Sequence, residues 1–368
     1  MLRLLLGVGT AVAVTLAGQP AQAAAPAWRI VKGVDIGESA TALLDVAASG
    51  TRDAWAAGYA CSAEDREGCA AIIRWNGSRW SKANPPGADL EHVEGVSAAS
   101  PTDVWAVGNG TAPWAGHWTG SRWTGYKPLG SGAESRLADV AVSGGRPWLV
   151  GTVKGSGVVL GWNRDKGFYR AHSLPGKLEA VTSRAGTGEI WAVGSTGTQP
   201  LIVRGTDGGR TWKLTPAPSI PDGHLTRVWQ VAGGDVWAVG YAGKTSYDHK
   251  DFLASRPIAL HYDGRSWRQV AVPVARGRLT GLTSDAAGTV WASGVDFAHG
   301  RRIMFLRYAG DRLTASYGPE LPLREQREYD HQTVTRTSIT RIPGSSGLWA
   351  VAAAGGGDFE SHFLLTYG

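Results

Sequence analysis

Two hydrophobic patterns alternate along this chain in a fixed order. The first is an apolar residue, two variable positions and a second apolar residue. It occurs at Leu43 to Val46, Val93 to Val96, Leu137 to Val140, Leu178 to Val181, Leu225 to Val228, Leu279 to Leu282 and Ile339 to Ile342. Residues three apart on an extended strand point to opposite faces, so each such strand is apolar on both sides, as in a sheet packed between two neighbours. The second pattern is a short apolar run around a Trp. Val104-Trp105-Ala106-Val107-Gly108 is typical, and the run recurs at Trp55, Trp148, Trp191, Trp237, Trp291 and Trp349. A third strand follows and ends in an aromatic, a tight turn and a further Trp, as in Trp75-Asn76-Gly77-Ser78-Arg79-Trp80 and Tyr262-Asp263-Gly264-Arg265-Ser266-Trp267. Asn-Gly and Asp-Gly supply the positive φ angles that a two-residue hairpin demands.

The seven repeated tryptophans are 50, 43, 43, 46, 54 and 58 residues apart. That is the period of a four-stranded blade and not of a helical solenoid. The pattern therefore predicts an all-β protein, a seven-bladed β-propeller of four-stranded antiparallel blades. The last repeat stops at Phe363-Leu364-Leu365-Thr366-Tyr367-Gly368 without a fourth strand, whereas Ala27-Trp28-Arg29-Ile30-Val31 matches the fourth strand Ser266-Trp267-Arg268-Gln269-Val270 and lies ahead of the first blade. Residues 27–34 are expected to complete the blade made by residues 338–368, closing the ring and removing two exposed strand edges. Because each blade is buried only by its neighbours, residues 24–368 form one domain. Of the 17 Trp, fifteen occupy repeat positions and belong to the core. Trp114 and Trp229 fall outside the pattern and are the candidates for a stacking platform, with packing the plainer role.

Residues 1–23 have the form of a secretion signal. Arg3 precedes the apolar stretch Leu4 to Ala17, and Ala21-Gln22-Ala23 is a small-x-small cleavage site. The stretch is too short to span a bilayer, and no Cys follows it to carry a lipid anchor. The mature chain is expected to be secreted, extracellular and monomeric. The only cysteines, Cys61 and Cys69, lie in one loop, and an oxidising compartment favours a disulfide between them; a metal pair is the weaker alternative, since no His lies in that loop. Losing Arg3 lowers the formal charge from +6 to +5, and no Lys/Arg cluster exists, which speaks against nucleic acid as a partner. No HxH, HExxH or CxxC spacing is present, so no metal or cofactor is expected.

The repeat resembles that of secreted bacterial seven-bladed propellers with kelch-like and sialidase-like repeats. Gly205-Thr206-Asp207-Gly208-Gly209-Arg210-Thr211-Trp212 is similar to the sialidase Asp box, Ser/Thr-x-Asp-x-Gly-x-Thr-Trp, with Gly205 in place of the first residue. In sialidases that turn is structural and remote from catalysis. The resemblance thus implies a fold and no sialidase activity, and the family's arginine triad, Tyr with its Glu partner and Asp acid have no assignable positions here.

Loop lengths point to one face. The long links are 59–70, 242–256, 296–302 and 319–337, all between second and third strands or between blades, and these open on the same side of a propeller, where binding usually resides. The variable residues opening the inner strands should ring the channel mouth there: Asp45, Glu94, Asp139 and Glu179 on one half, Arg227 and Arg341 on the other. Two readings stay open, mutually paired groups lining a wet channel or a polar pocket that orients a ligand with hydroxyls or a carboxylate. Above the rim, Tyr247-Asp248-His249, Asp296-Phe297-Ala298-His299 and Glu328-Tyr329-Asp330-His331 place three His beside aspartates. His249, His299 and His331, with Tyr247 and Tyr329, are the catalytic candidates, able in principle to move a proton or hold a metal. Acidic pairs on the rim suit glycoside hydrolysis if they lie about 5–10 Å apart. The expected function is binding of a glycan, a cell-envelope component or another small polar ligand on the loop-rich face. A polysaccharide lyase or glycoside hydrolase working at the channel mouth, and a protein-binding scaffold, are the alternatives; whether a reaction is catalysed stays open.

Overall fold

A computed structural model describes residues 25–34, 36, 40–61, 69–83, 85, 90–129, 134–244, 252–323, 333–356 and 359–368. The expected signal, residues 1–23, lies outside them. The described strands form seven four-stranded antiparallel sheets. Their innermost strands are Ala40–Gly50, Leu90–Ser100, Ser135–Ser143, Lys177–Ser183, Gly223–Ala232, Gly277–Ser284 and Thr333–Arg341, each touching the inner strands of both neighbouring blades around a central axis. The ring closes as expected. Trp28–Ile30 is the outer strand of the last blade, with Trp28 opposite Tyr367 and Ile30 opposite Leu365. Trp28 stacks on Phe305 of blade six at 3.8 Å between ring centroids. Cys61 and Cys69 form a disulfide. Among the described residues, no helix is long and apolar enough to cross a membrane.

The repeated Trp forms the wedge between blades. Trp55, Trp105, Trp191 and Trp237 are fully buried, and Trp55 meets Trp118 and Trp123 of the next blade at 5.2 and 5.6 Å. A buried indole N–H needs an acceptor. The acidic residue two positions earlier supplies one at Trp55 (Asp53, 3.2 Å) and Trp105 (Asp103, 3.1 Å). The same carboxylates hold a cation from the third strand: Arg74 on Asp53 at 2.8 Å and His117 on Asp103 at 2.9 Å. These acid–His and acid–Arg pairs are thus part of the repeat's packing. Trp114 and Trp229 also pack: Trp114 is buried in the blade-one to blade-two core, and the Trp229 indole N–H donates to Ser284 Oγ of the next blade at 3.0 Å.

One irregularity shapes the channel. In blades one to six the inner strand carries a β-bulge between its two apolar residues, as at Leu43/Asp45, Val93/Gly95 and Leu225/Arg227. A bulge leaves one residue unpaired and re-aims it; here these are Leu44, Glu94, Ala138, Glu179, Thr226 and Thr280. The Gly that ends each Trp run lies opposite. A Cβ on Gly58, Gly194 or Gly240 would stand 1.9 Å from a carbonyl oxygen of the facing strand, so only Gly permits the approach. Blade seven has Ala352 at that place, and its bulge lies between Val334 and Arg336. Its inner strand therefore runs differently from the sequence expectation. Ile339 faces Ala350 as Val46 faces Ala56, so the segment Ile339 to Ile342 is displaced by three residues from its assigned place. Arg341 pairs with Leu348 at the far end of the strand, away from the mouth, and Ser338 occupies the place that corresponds to Asp45.

Candidate functional site

On the loop-bearing face the bulge residues Glu94, Ala138, Glu179, Thr226, Thr280 and Thr335 line a cavity of about 160 Å³, together with Arg136, Arg227, Tyr241, Arg278 and Arg336. Its floor is a polar plug. Arg227 reaches across the channel from blade five to Asp45 of blade one, 3.3 Å between Nη2 and Oδ1. Ser338 Oγ donates to the same oxygen at 2.6 Å, and Oδ2 accepts from the Val96 N–H of blade two at 2.9 Å. Asp139 accepts in the same way from Val140 N–H at 2.9 Å and from Val181 N–H of blade four at 3.0 Å. Both aspartates are 7% exposed. They tie blade to blade and lie beneath the ligand-accessible surface. Burial pushes the Asp139 carboxyl up to about 6 despite the opposing pull of Arg227.

Glu94 organises the mouth above this floor. Arg336 of blade seven donates to its Oε2 at 2.7 Å and to its backbone oxygen at 3.2 Å, Arg136 pairs with Oε1, and His92 Nε2 lies 3.3 Å from Oε1. Burial alone would raise the Glu94 carboxyl, but Arg336, His92 and Arg136 hold it well below the usual range. Arg278 of blade six is placed otherwise. Its guanidinium lies 4.0 Å from the Tyr241 ring and 4.2 Å from the Phe252 ring, with Nε donating to Ser255 Oγ at 3.0 Å and Nη2 to the Lys244 carbonyl at 3.4 Å. Among the described residues it pairs with no carboxylate, and burial lowers its pKa. Burial also raises the Tyr241 phenol, and burial followed by the Arg278 charge lowers His224, which stacks on Tyr241 at 5.2 Å. With Arg227 held by Asp45 in the floor, the described rim groups are Arg136, Arg278 and Arg336 with Glu94 and Glu179, an arrangement in which Arg278 suits an incoming anion.

Of the residues expected from sequence to form the rim, Glu94, Glu179 and Arg227 meet in the cavity, Asp45 and Asp139 lie under it, and Arg341 is remote. Arg136, Tyr241, Arg278 and Arg336 were missed. A signal existed for two of them. Arg136 and Arg278 stand immediately before the first apolar residue of the inner strand, where blades two, four and five carry His92, Lys177 and His224. Arg336 was hidden by the displaced register of blade seven.

Of the reactive side chains above the rim, Tyr247, His249, Tyr329 and His331 lie outside the described residues. His299 is described. Its Nδ1 lies 2.8 Å from Asp296 Oδ2, the oxygen that also accepts from Tyr317 OH at 2.6 Å, while Asp296 Oδ1 caps the short turn by accepting from Ala298 N–H at 3.0 Å. Burial, then the Asp296 hydrogen bond, push the Tyr317 phenol up to about 12. Asp296, which burial would raise, is lowered by its bonds from Tyr317 and His299. Among the described residues no group of three His, Cys, Asp or Glu is placed to hold a metal ion.

No family model matches the sequence, and no curated protein matches it. Solved structures do match in shape. The chain is similar to YCF48 bound to D1 peptide over 92% of its own length and 96% of that chain, at 14% identity and a TM-score of 0.55. It is similar to the WD40 β-propeller domain of Doa1 over 93% and 97%, at 11% identity and a TM-score of 0.58. It is also similar to the GH74 xyloglucanase of Xanthomonas campestris over 89% of this chain and 53% of that one, at 13% identity and a TM-score of 0.58. At such identities the likeness is one of fold, and with the seven observed sheets it establishes a seven-bladed β-propeller.

Proposed function

We propose that this chain is exported and binds an acidic glycan of the cell envelope, taking a carboxylate of the ligand into the channel mouth. The observation that carries this is Arg278, a half-buried guanidinium fixed between two aromatic rings at a cavity that already holds three further arginines. A desolvated cation with no carboxylate partner among the described residues is costly until an anion joins it. Ligand pockets for whole small molecules span about 300–1,000 Å³. The mouth, at about 160 Å³, accepts the charged end of a chain and not a whole oligosaccharide. The Cys61–Cys69 disulfide fits an oxidising compartment.

The test is calorimetric titration of the mature protein with oligogalacturonate and oligoglucuronate, with neutral oligosaccharides of matched length, and with peptides bearing a free or an amidated C-terminus. Uronate binding that falls about tenfold or more in Arg278→Ala and Arg136→Ala supports the proposal, since each change removes a charge-assisted contact. Binding of free-ended peptides alone would transfer the site to a protein partner, the ligand class named for the similar YCF48 structure. The enzymatic alternative rests on blade six. Among the described residues of that loop, the half-exposed His299 is the catalytic candidate, beside a Tyr317 phenol held at about 12. Release of unsaturated or reducing sugar in the same titrations, abolished in His299→Ala with binding retained, would favour it.

A further inference from the structure

We propose a second ligand site, on the face opposite the channel mouth, in the wedge between blades two and three, that takes a neutral sugar ring. Five of the wedges are variations on one plan, a side chain of the third strand lying over the buried Trp. Arg74 lies over Trp55 at 5.0 Å, Arg204 over Trp191 at 5.1 Å and Arg307 over Trp291 at 5.7 Å. Blades two and five use His instead. His117 stacks on Trp105 at 4.2 Å and His261 on Trp237 at 4.4 Å, and each has Nε2 2.9 Å from an aspartate, Asp103 or Asp235.

The two His wedges differ in what lies over the imidazole. In blade five the cross-strand neighbour of His261 is Arg268, whose Nη2 lies 3.1 Å from His261 Nδ1 and 3.5 Å from Tyr308 OH. In blade two the neighbour of His117 is Thr124, which is too short to reach back. The adjoining turn of blade three is Gly144-Gly145, with φ of +58° and +72°, and so contributes no side chain either. A groove of about 540 Å³ results, with His117 and Trp162 among its lining residues and Arg146, Arg164 and Asp165 contributing its charged ones beside Asp103.

That volume lies inside the range of small-molecule sites. Its chemistry fits a sugar. The apolar C–H face of a pyranose packs on an aromatic ring, while planar guanidinium and carboxylate groups bond neighbouring hydroxyls in pairs. Two arginines and two aspartates leave the groove without a charge excess, in contrast to the mouth, so a neutral ring is the match.

The full mature chain is titrated with neutral hexasaccharides of glucose, xylose, mannose and N-acetylglucosamine, followed by Trp fluorescence and saturation-transfer NMR. Thr124→Arg installs the guanidinium that blade five already accommodates, at an exposed position. Arg164→Ala, in an exposed turn, serves if that variant fails to fold. At least one hexasaccharide should bind, with affinity lowered about tenfold or more by Thr124→Arg and several-fold by Arg164→Ala, and unchanged in Arg278→Ala. The proposal is overturned if none of the four binds. It is overturned equally if binding survives both groove variants within about twofold, or is lost in Arg278→Ala, which would place the sugar at the mouth.

Discussion

Replacing Asp45 by Ala should destabilise the propeller by about 3–5 kcal/mol, because it strips a buried cation of its partner and orphans a backbone donor together. The carboxylate accepts from Ser338 Oγ at 2.6 Å, Val96 N–H at 2.9 Å and Arg227 Nη2 at 3.3 Å, joining blades seven, two and five to blade one. An unsatisfied buried N–H costs about 1–3 kcal/mol. Removing one member of a buried ion pair costs about 3–5 kcal/mol, here moderated because Asp139 and Glu94 also act on Arg227. Asp45→Asn keeps an acceptor for Val96 and loses only the charge, so it should cost about 1–3 kcal/mol. Arg227→Met on the Asp45→Ala background should restore part of the loss, giving a coupling of about 1 kcal/mol or more. Urea unfolding read by both Trp fluorescence and far-UV circular dichroism measures the native chain, Asp45→Ala, Asp45→Asn, Arg227→Met and the double variant, and shows whether the transitions coincide. A loss below about 1 kcal/mol for Asp45→Ala, or strict additivity with Arg227→Met, would refute the view that this residue is a structural tie.

The Asp139 carboxyl, pushed up to about 6 from 3.8, gives up its proton more readily when the chain unfolds. The stability it contributes is thus present below about 4 and lost as pH rises through about 6. The stability of the native chain relative to Asp139→Asn should therefore be greater at pH 5 than at pH 7 in paired urea titrations, and no change between them would contradict the assignment. Trp28→Ala should cost about 3 kcal/mol, the low end for a Trp since the ring is half-buried, and an unchanged melting temperature would deny its part in closing the ring. Changing both Cys61 and Cys69 to Ser should cost about 2.5 kcal/mol at most, for a loop this short, and two alkylatable thiols in exported native protein would rule the bridge out.

The blade count, the order of strands and the closure by residues 27–34 were all legible in the sequence. They follow from local rules within each repeat: the apolar spacing, one Trp per blade, and turns such as Asn76-Gly77 and Asp263-Gly264. The opening residues of the inner strands were legible as polar, and Glu94, Glu179 and Arg227 do converge. What the spacing left undecided was the bulge, since a strand pattern read as regular does not say which of two adjacent variable residues turns into the channel. Asp45 pairs across the sheet and lies outside the cavity lining, whereas Glu94, one bulge place over and equally buried, lines it. The same limit misplaced blade seven, where Ala352 cannot make the close approach of Gly58 and the displaced bulge carries Arg336, not Arg341, to the mouth. Whether a given Arg is neutralised was a question of distance across the axis. Only the closed ring sets Arg227 against Asp45 and Arg336 against Glu94, residues 182 and 242 positions apart, and leaves Arg278 between two aromatic rings with no described carboxylate beside it. Local pattern determines a blade, because its forces act between sequence neighbours; the site is made of side chains from several blades, and only their packing around one axis brings those together.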